Sequence, residues 1–273
     1  MASEGLRIFQ YSENPEVVTL GARTHVGEVD AYLGMYSNGI VKMRSGSIVY
    51  GDIRLFGKSP VAELGGRVYV IEDFLSRQQS SAIRGQVELK YATDWNLDYL
   101  FKFPSISEIV YSSKKVVTAG ETYYFTNGMA YDTLKVESGA TIVFAPGEMF
   151  VQGLLQLEAG VTIEYLKPGE KTVLNLDGKL KWQATSNKEL DDVDYWERVA
   201  RGFMLIQRKS GTMYIEGNFA GTLYAPFSKI ILGQTKKIYY GRILARDITV
   251  HQYTKIFRVD FNPIEPLIYV FKR

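Results

Sequence analysis

The chain of 273 residues contains no cysteine and only two histidines, His25 and His251. The lack of cysteine excludes disulfide bridges and thiolate metal sites. The two histidines lie far apart in the sequence, and neither has a second histidine at a metal-ligand spacing. We therefore predict no metal site and no cofactor. The absence of cysteine does not decide the compartment, because such a chain is stable under reducing and oxidising conditions alike.

Long apolar runs are also missing. No stretch approaches the ~18 apolar residues that a membrane-spanning helix needs, so we predict no transmembrane segment. The N-terminal string MASEGLRIF lacks the basic and then apolar layout of a signal peptide. Two expectations follow: an extracellular or cell-surface protein whose leader has been removed, or a cytoplasmic protein that never had one.

Charge is spread unevenly along the chain, although the formal net charge is only +2. Residues 201–273 carry twelve Lys and Arg against four Asp and Glu, a balance of +8, which leaves −6 for residues 1–200. This asymmetry fits an anionic partner such as a glycan or a lipid headgroup, or head-to-tail contact between copies. It fits an ordinary solvated surface equally well.

Internal repeats are the clearest signal in the sequence. KVESGATIVF (Lys135–Phe144) matches QLEAGVTIEY (Gln156–Tyr165), with Gly139 and Gly160 in equivalent places. KMRSGSIVYG (Lys42–Gly51) has the same arrangement of apolar and small residues. Short alternating runs within each unit indicate strands with one buried face.

A second echo lies near the C-terminus. The strings FAGTLYA and YYGRILA place Gly221 opposite Gly241, and Leu223 opposite Ile243. We predict that the glycines are equivalent corners and that Leu223 and Ile243 are equivalent core positions. Pro226, which cannot donate to a strand ladder, is expected at a bend between two short strands.

These repeats predict an all-β fold, a single-stranded parallel β-solenoid (β-helix) of about ten coils. A single coil cannot bury its inward side chains, whereas stacked coils bury a continuous apolar column. The competing fold is a β-sandwich, whose strands recur every ~8–12 residues. We predict an N-terminal extension or cap at 1–28, the solenoid at 29–261 and a C-terminal tail or cap at 262–273.

Two segments interrupt the repeat. Residues near 91–115 are predicted to form a loop insertion or a crossover along the rod. Residues near 186–202 are predicted to form one flanking amphipathic helix, with Ser186 and Glu189 as a capping box and Gly202 at its end. The apolar residues that follow the capping box at helical spacing are Leu190, Val193 and Trp196.

Four stretches resemble a bacterial β-solenoid domain found in exported surface proteins of the slime-, adhesion- or pilus-associated type. They are Val29–Ile53, Val117–Met129, Gly147–Gly160 and Gly217–Phe261. The polymer-forming bactofilins are similar more distantly. The resemblance implies a structural repeat protein at the cell surface. It transfers no catalytic residue to this chain.

Candidate chemistry is sparse. The acidic residues Glu189, Asp191, Asp192, Asp194 and Glu197 crowd the start of the predicted helix, where they complement its dipole. We interpret them as solvated surface charge rather than as an acid–base pair. No Gly-x-Ser-x-Gly nucleophile motif and no phosphate-binding loop is present.

Arg242, Arg246 and Asp247 lie close together on the last repeats. They fit either a basic groove of a polysaccharide lyase or hydrolase, or a salt-bridged rung of the stack. Lys236 and Lys237 alone do not predict nucleic-acid binding.

Exposed aromatic side chains would suit a sugar-binding face. The candidates are Trp95, Tyr123, Tyr124, Trp182, Tyr239 and Tyr240. Successive strand residues face opposite sides, so one member of each tyrosine pair is expected to point inward. For any single aromatic, packing in the core is the favoured interpretation.

The sequence thus predicts a non-enzymatic structural or adhesive module of a bacterial surface or extracellular matrix. Its partners would be an anionic glycan or cell-surface polymer, or further copies stacked end to end. We assign no catalytic residue, and the binding residues are unknown. The alternatives are a polymer-forming cytoskeletal scaffold and a β-helix polysaccharide lyase or hydrolase.

Overall fold

A computed structural model describes the following residues: 22–26, 109–189, 192–233, 237–257 and 259–263. It also gives the backbone of nine further short strands, the N-terminal strands. These are β1 (Leu6–Arg7), β2 (Val17–Leu20), β4 (Met35–Ser37), β5 (Ile40–Met43), β6 (Ile48–Val49), β7 (Ile53–Phe56), β8 (Val61–Leu64), β9 (Arg67–Val70) and β10 (Val87–Lys90). β3 is His25–Val26.

The rest of the chain is a succession of strands with one helix. The strands up to the helix are β11 (Ser112–Val117), β12 (Thr122–Phe125), β13 (Ala130–Val136), β14 (Thr141–Phe144), β15 (Gly147–Leu157), β16 (Thr162–Tyr165), β17 (Thr172–Leu176), β18 (Lys179–Trp182) and β19 (Thr185–Ser186). The helix and later strands are α1 (Val193–Gly202), β20 (Phe203–Gln207), β21 (Gly211–Ile215), β22 (Phe219–Leu232), β23 (Ile238–Val250) and β24 (Lys255–Phe257).

These strands form a parallel β-solenoid, which confirms the predicted fold. The long ladder runs β11-β13-β15-β17-β20-β22-β23, and a short sheet β12-β14-β16-β19 forms a second face. The described residues make about seven turns, fewer than the ten predicted. The N-terminal strands β2, β5 and β8 belong to the same sheet, in the order β23-β2-β5-β8.

Stacking in register produces columns of like side chains in the interior. One column, called here the first core column, follows the ladder pairings through seven buried residues. They are Val117, Val136, Leu157, Trp182, Ile215, Leu232 and Val250. Each residue removes its neighbours from water, so apolar burial accumulates with every coil.

The predicted repeat alignments are confirmed as spatial register. Lys135 pairs with Gln156 and Thr141 with Thr162, as the alignment of the two strings requires. Gly139 donates its backbone N–H to the carbonyl of Gly160 at 3.1 Å. The sequence spacing between these two glycines is therefore the length of one coil.

The glycines of the second echo are also neighbours. Gly221 pairs with Gly241 and Leu223 with Ile243. Both glycines lie inside strands rather than at the ends predicted for corners, with φ of +145° and +136°. The register between β22 and β23 shifts between Ala225 and Lys229, so Pro226 falls where the ladder is interrupted. Its missing N–H is tolerated there because the ladder is already broken.

The order of coils in space differs from their order in the chain. β2 lies between β23 and β5, and β3 lies between β24 and β6. The N-terminal strands therefore stack on the C-terminal end of the ladder, while β11 forms the opposite end of the ladder among the described residues. The predicted insertion at 91–115 lies outside the described residues up to 108, and its last four residues form a strand rather than a loop because β11 begins at Ser112. The strands β10 and β11 belong to different sheets.

A recurrent turn follows the first core column. Its third residue is Gly120, Gly139 or Gly160 in successive coils, with φ of +81°, +82° and +85°. The equivalent residues where the C-terminal coil meets the N-terminal strands are Tyr253 and Arg23, with φ of +61° and +56°. For a residue other than glycine, this left-handed backbone conformation costs about 1 kcal/mol or more. Arg23 Nη1 donates to Tyr253 Oη at 3.0 Å, so these two strained residues contact each other across the junction.

The flanking helix is present, but it begins at Val193 and its predicted capping box was wrong. Ser186 continues the short sheet, paired with Ile163, so its backbone is already committed to a strand. Asp192 is the N-cap, and its Oδ1 accepts the N–H of Tyr195 at 3.1 Å. The helix ends at Gly202 as predicted and packs on β20, β22 and β23. Leu190 lies outside the described residues.

Gly241→Ala is expected to destabilise the fold by more than about 2 kcal/mol, because the new Cβ meets backbone at a positive φ. An ideal Cβ at Gly241 would lie 1.9 Å from the carbonyl oxygen of Gly221 in the adjacent coil. Gly211→Ala is the matched control, since nothing lies within 4 Å of its Cβ position. Urea unfolding of both variants measures the difference, and equal midpoints would contradict the close approach.

Thr19 and Thr249 are register partners across the junction of β2 and β23. Adjacent strands lie about 4.8 Å apart, within the Cα separation that a disulfide spans. In this cysteine-free chain, a Thr19→Cys/Thr249→Cys variant should form one intrachain disulfide on mild oxidation. Non-reducing electrophoresis with mass spectrometry of the linked peptides detects it. Thr19→Cys/Thr222→Cys, whose second site lies further along the stack, should not form the link.

Candidate functional site

The aromatic candidates for sugar binding are mostly in the core. Trp182, Tyr239 and Tyr240 are buried, as the core interpretation predicted. Tyr239 Oη donates to the carbonyl of Ile215 at 2.6 Å, which satisfies its polar tip inside the protein. Trp95 lies outside the described residues. These three buried rings cannot stack on a sugar.

The two tyrosine pairs behave differently. At 123–124, Tyr124 is 51% exposed while Tyr123 packs against the core, as strand alternation predicts. At 239–240 the expectation of one outward ring was wrong, because Tyr240 is only 5% exposed. Trp196 of α1 stacks parallel to Tyr240 with ring centroids 6.4 Å apart. The helix therefore covers a face that would otherwise present an aromatic to solvent.

The acidic cluster serves the helix. Asp192 caps its N-terminus, Asp194 lies in its first turn, and Glu197 forms an i,i+4 ion pair with Arg201 at 3.6 Å. Asp191 lies outside the described residues. This arrangement agrees with the predicted dipole-complementing surface charge.

Of the two basic candidates Arg242 and Arg246 near the C-terminus, only Arg242 has a described side chain. Arg242 Nε lies 2.5 Å from Asp260 Oδ1 in an ion pair. The side chains of Arg246 and Asp247 lie outside the described residues. An ion pair is what the salt-bridged interpretation requires, and the described partner of Arg242 is Asp260. The Arg242 side chain is half-buried and the Asp260 side chain is exposed, so solvent screens this pair only in part.

The structure brings the segments that carry the two histidines together, which their sequence separation did not suggest. Thr24 Oγ1 donates to the carbonyl of His251 at 3.2 Å. His25 lies on β3, and its side chain is outside the description. Within the described part of the chain, no three His, Asp or Glu side chains converge as a metal site would require.

A polar cluster that the sequence did not predict lies on the outer face of the ladder, and we call it the Arg208 cluster. Its members are Tyr111, Glu148, Lys171, Asn175, Asp177 and Arg208. Arg208 Nη2 donates to Asn175 Oδ1 at 2.7 Å, and Lys171 Nζ pairs with Glu148 Oε1 at 2.9 Å. Asn175 is buried although it points away from the core between Leu174 and Leu176.

Electrostatics in the Arg208 cluster is set mainly by burial. Removal from water lowers the pKa of Arg208, an effect opposed by the nearby carboxylates of Asp177 and Glu148. Burial raises the pKa of Tyr111, and the charge of Asp177 raises it further. Tyr111 therefore stays protonated at neutral pH. General acid–base catalysis needs a group whose pKa lies near the working pH, and the raised pKa of Tyr111 lies further from neutrality than that of a free tyrosine.

The ladder register accounts for part of this cluster, and one feature of the sequence points to it. Leu176 pairs with Gln207, so Asp177 and Arg208 occupy the next equivalent position in adjacent coils. Asn175 also interrupts the apolar string TVLNL. Neither clue shows that Tyr111, which comes much earlier in the chain, reaches the same place. Only the spatial stacking does so.

A second outer feature is a row of lysines, called here the lysine face: Lys114, Lys135, Lys179, Lys181 and Lys229. Lys181 lies between buried Leu180 and Trp182 and so points outward, next to the exposed ring of Tyr214. Lys135 pairs with Glu137 and Glu158 at 3.1 and 3.2 Å. Lys179 and Lys181 are exposed on β18.

Comparison with family models, with curated proteins and with solved structures gives no match. No helix in the part of the chain that the structure describes has the length and hydropathy of a membrane span.

Buried and half-buried tyrosines make the protein sensitive to alkali. Burial raises the pKa of Tyr224 to about 12 and also raises the pKa values of Tyr165 and Tyr239. Above the ordinary tyrosine pKa of about 10 the unfolded chain loses these protons while the folded chain keeps them, so stability falls as the pH rises towards 12. Urea unfolding at a series of pH values measures the decline.

Tyrosinate absorbance supplies the check on this prediction. At pH ~11 unfolding should increase the number of ionised tyrosines, and Tyr239→Phe should reduce that increase by one. Ionisation of all nineteen tyrosines before unfolding would contradict the burial of these hydroxyls.

Proposed function

We propose that the chain is a non-enzymatic structural or adhesive β-solenoid module of a bacterial surface or extracellular matrix. The observation that carries the proposal is the first core column, which stays apolar from Val117 to Val250 without a break for a site. A rod whose interior is committed to packing leaves function to its outer faces and ends. The resemblance to exported surface domains supports an extracellular location.

The lysine face supports binding to an anionic glycan or cell-surface polymer. Lys179 and Lys181 lie on the same side of one strand, and successive rungs lie about 4.8 Å from each other. An extended polyanion can meet several such charges in sequence, which favours avidity over a single tight pocket. Tyr214, 44% exposed beside Lys181, offers an aromatic surface to a sugar ring.

The enzyme alternative is a β-helix lyase or hydrolase acting at the Arg208 cluster. A glycosidase would need one carboxyl held as an acid beside a second held as a base. Glu148 is instead tied to Lys171 by an ion pair, and Arg208 is tied to Asn175 by a hydrogen bond. These contacts support a role for the cluster in holding the outer face of the coils.

The cytoskeletal alternative requires copies to stack end to end. A parallel ladder leaves an unpaired strand edge at each end, which is the surface that such a polymer would use. This alternative therefore depends on which residues cover the strand edge of β11.

Binding to polygalacturonate, a polyanionic glycan, tests the proposal. The protein should bind it at low salt and release it as ionic strength rises. Lys179→Gln/Lys181→Gln should weaken binding roughly ten- to thirtyfold, since each lysine near an anionic surface contributes about 1 kcal/mol. Biolayer interferometry at several salt concentrations measures both effects. The same incubation, assayed for reducing ends and unsaturated sugars, should release none.

The matched control is Lys167→Gln/Arg198→Gln, which removes the same charge from the turn before β17 and from α1. Both residues are exposed. Its affinity should stay close to that of the wild type. Equal weakening by both pairs would mean that net charge alone drives binding, and release of sugar products would favour the enzyme alternative. Dextran, a neutral polymer, should not bind.

A further inference from the structure

The end of the ladder at β11 differs from the later described coils at the positions that face the core. In the column next to the first core column, the residues after β11 are all aliphatic or Met and buried. They are Leu134, Leu155, Leu180, Met213, Ile230 and Ile248. In β11 the same column holds Lys115, the register partner of Leu134.

The short sheet shows the same change. Ile142 and Ile163 are register partners and are buried, while the equivalent residue in β12 is Tyr123. Lys115 Nζ lies 5.2 Å from the centre of the Tyr123 ring, a cation–π contact. Tyr123 Oη lies 2.6 Å from Tyr131 Oη. The stem of a lysine and the ring of a tyrosine can cover apolar surface while their polar tips stay at the boundary.

At this end of the ladder, a backbone N–H donates its hydrogen bond to a side chain of its own coil. In later coils the residue after the first core column donates its N–H to the preceding coil, as Glu137 does to Val117 and Glu158 to Val136, at 2.9 and 3.1 Å. Thr118 is the equivalent residue in the coil that begins the described ladder. Its N–H donates instead to Glu121 Oε2 at 2.6 Å.

We propose that the coil formed by β11 and β12 is a built cap that ends the ladder and prevents a second copy of this chain from stacking on it. Three independent features coincide there: a cation in one core column, a tyrosine in another and a carboxylate on the terminal N–H. A copy stacked on this end would bury the ammonium of Lys115 and the hydroxyl of Tyr123, which is costly without new partners. Repeat proteins need terminal coils with a polar outer face for solubility.

This inference goes beyond the proposed function and needs no glycan, so the two can fail separately. The test replaces the cap with the residues of the next coil, as Lys115→Leu/Tyr123→Ile. Sedimentation velocity should show concentration-dependent assembly of this variant, while the wild type shows none through this end. Lys115→Met, which keeps the stem and the Tyr123–Tyr131 contact, should assemble more weakly. Urea unfolding confirms that each variant is folded.

A single cysteine identifies the end involved. Ser113 on β11 is exposed, and Ser113→Cys gives the only thiol in the chain. We call Lys115→Leu/Tyr123→Ile the uncapped variant and the protein with Lys115 and Tyr123 in place the capped protein. Attaching a polyethylene-glycol maleimide to this thiol should abolish assembly of the uncapped variant and leave the capped protein free of assemblies. The proposal is overturned if folded uncapped variants stay monomeric or if the attached polymer does not stop their assembly. It is also overturned if the capped protein itself forms assemblies that the polymer dissolves.

Discussion

The in-register stacking of parallel coils is the constraint on which the rest of this structure depends. Each coil places one residue in each interior column, so a side chain must be compatible with the residues one coil above and below. Trp182 lies between Leu157 and Ile215 in the first core column, and it also stacks parallel to Phe144 of the short sheet, with ring centroids 5.9 Å apart. Gly241 is required where it is because Gly221 comes too close for any side chain. Sequence freedom is thereby confined to the outer faces and the ends.

The stack also explains where strain is accepted. Glycine at the third position after the first core column makes the left-handed turn inexpensive in three coils. Arg23 and Tyr253 adopt that conformation at the junction between the C-terminal coil and the N-terminal strands. They contact each other through a hydrogen bond and a cation–π interaction, with the guanidinium 5.5 Å from the ring centre. Side chains that link segments so distant in the sequence offset part of the backbone cost that glycine would avoid.

Repeat alignment predicted the fold and local register well because both follow from nearest-neighbour stacking. The offset between Gly139 and Gly160 is a direct measure of one coil. Alignment could not predict that the N-terminal strand β2 pairs with β23, because the two strands are far apart in the sequence. It missed the Arg208 cluster for the same reason, because Tyr111 reaches Asp177 across several coils. The predicted helix start was wrong because Ser186 fits both a helix N-cap and a strand. In the structure it pairs with Ile163 in the short sheet.

The outer faces and ends are where this architecture can differ from a generic solenoid. Inward positions of one coil predict those of the next, so they carry little information beyond the fold. Departures from that repetition are therefore informative: Lys115 and Tyr123 in core columns, Asn175 buried on the outer side, and Tyr240 covered by Trp196. At Tyr240, Trp196 of the helix covers an aromatic ring that would otherwise face solvent. At the β11 end, Lys115 and Tyr123 place polar tips where two core columns end. Both devices reduce exposed apolar surface, and under the proposed function they leave binding to charged side faces such as the one carrying Lys179 and Lys181.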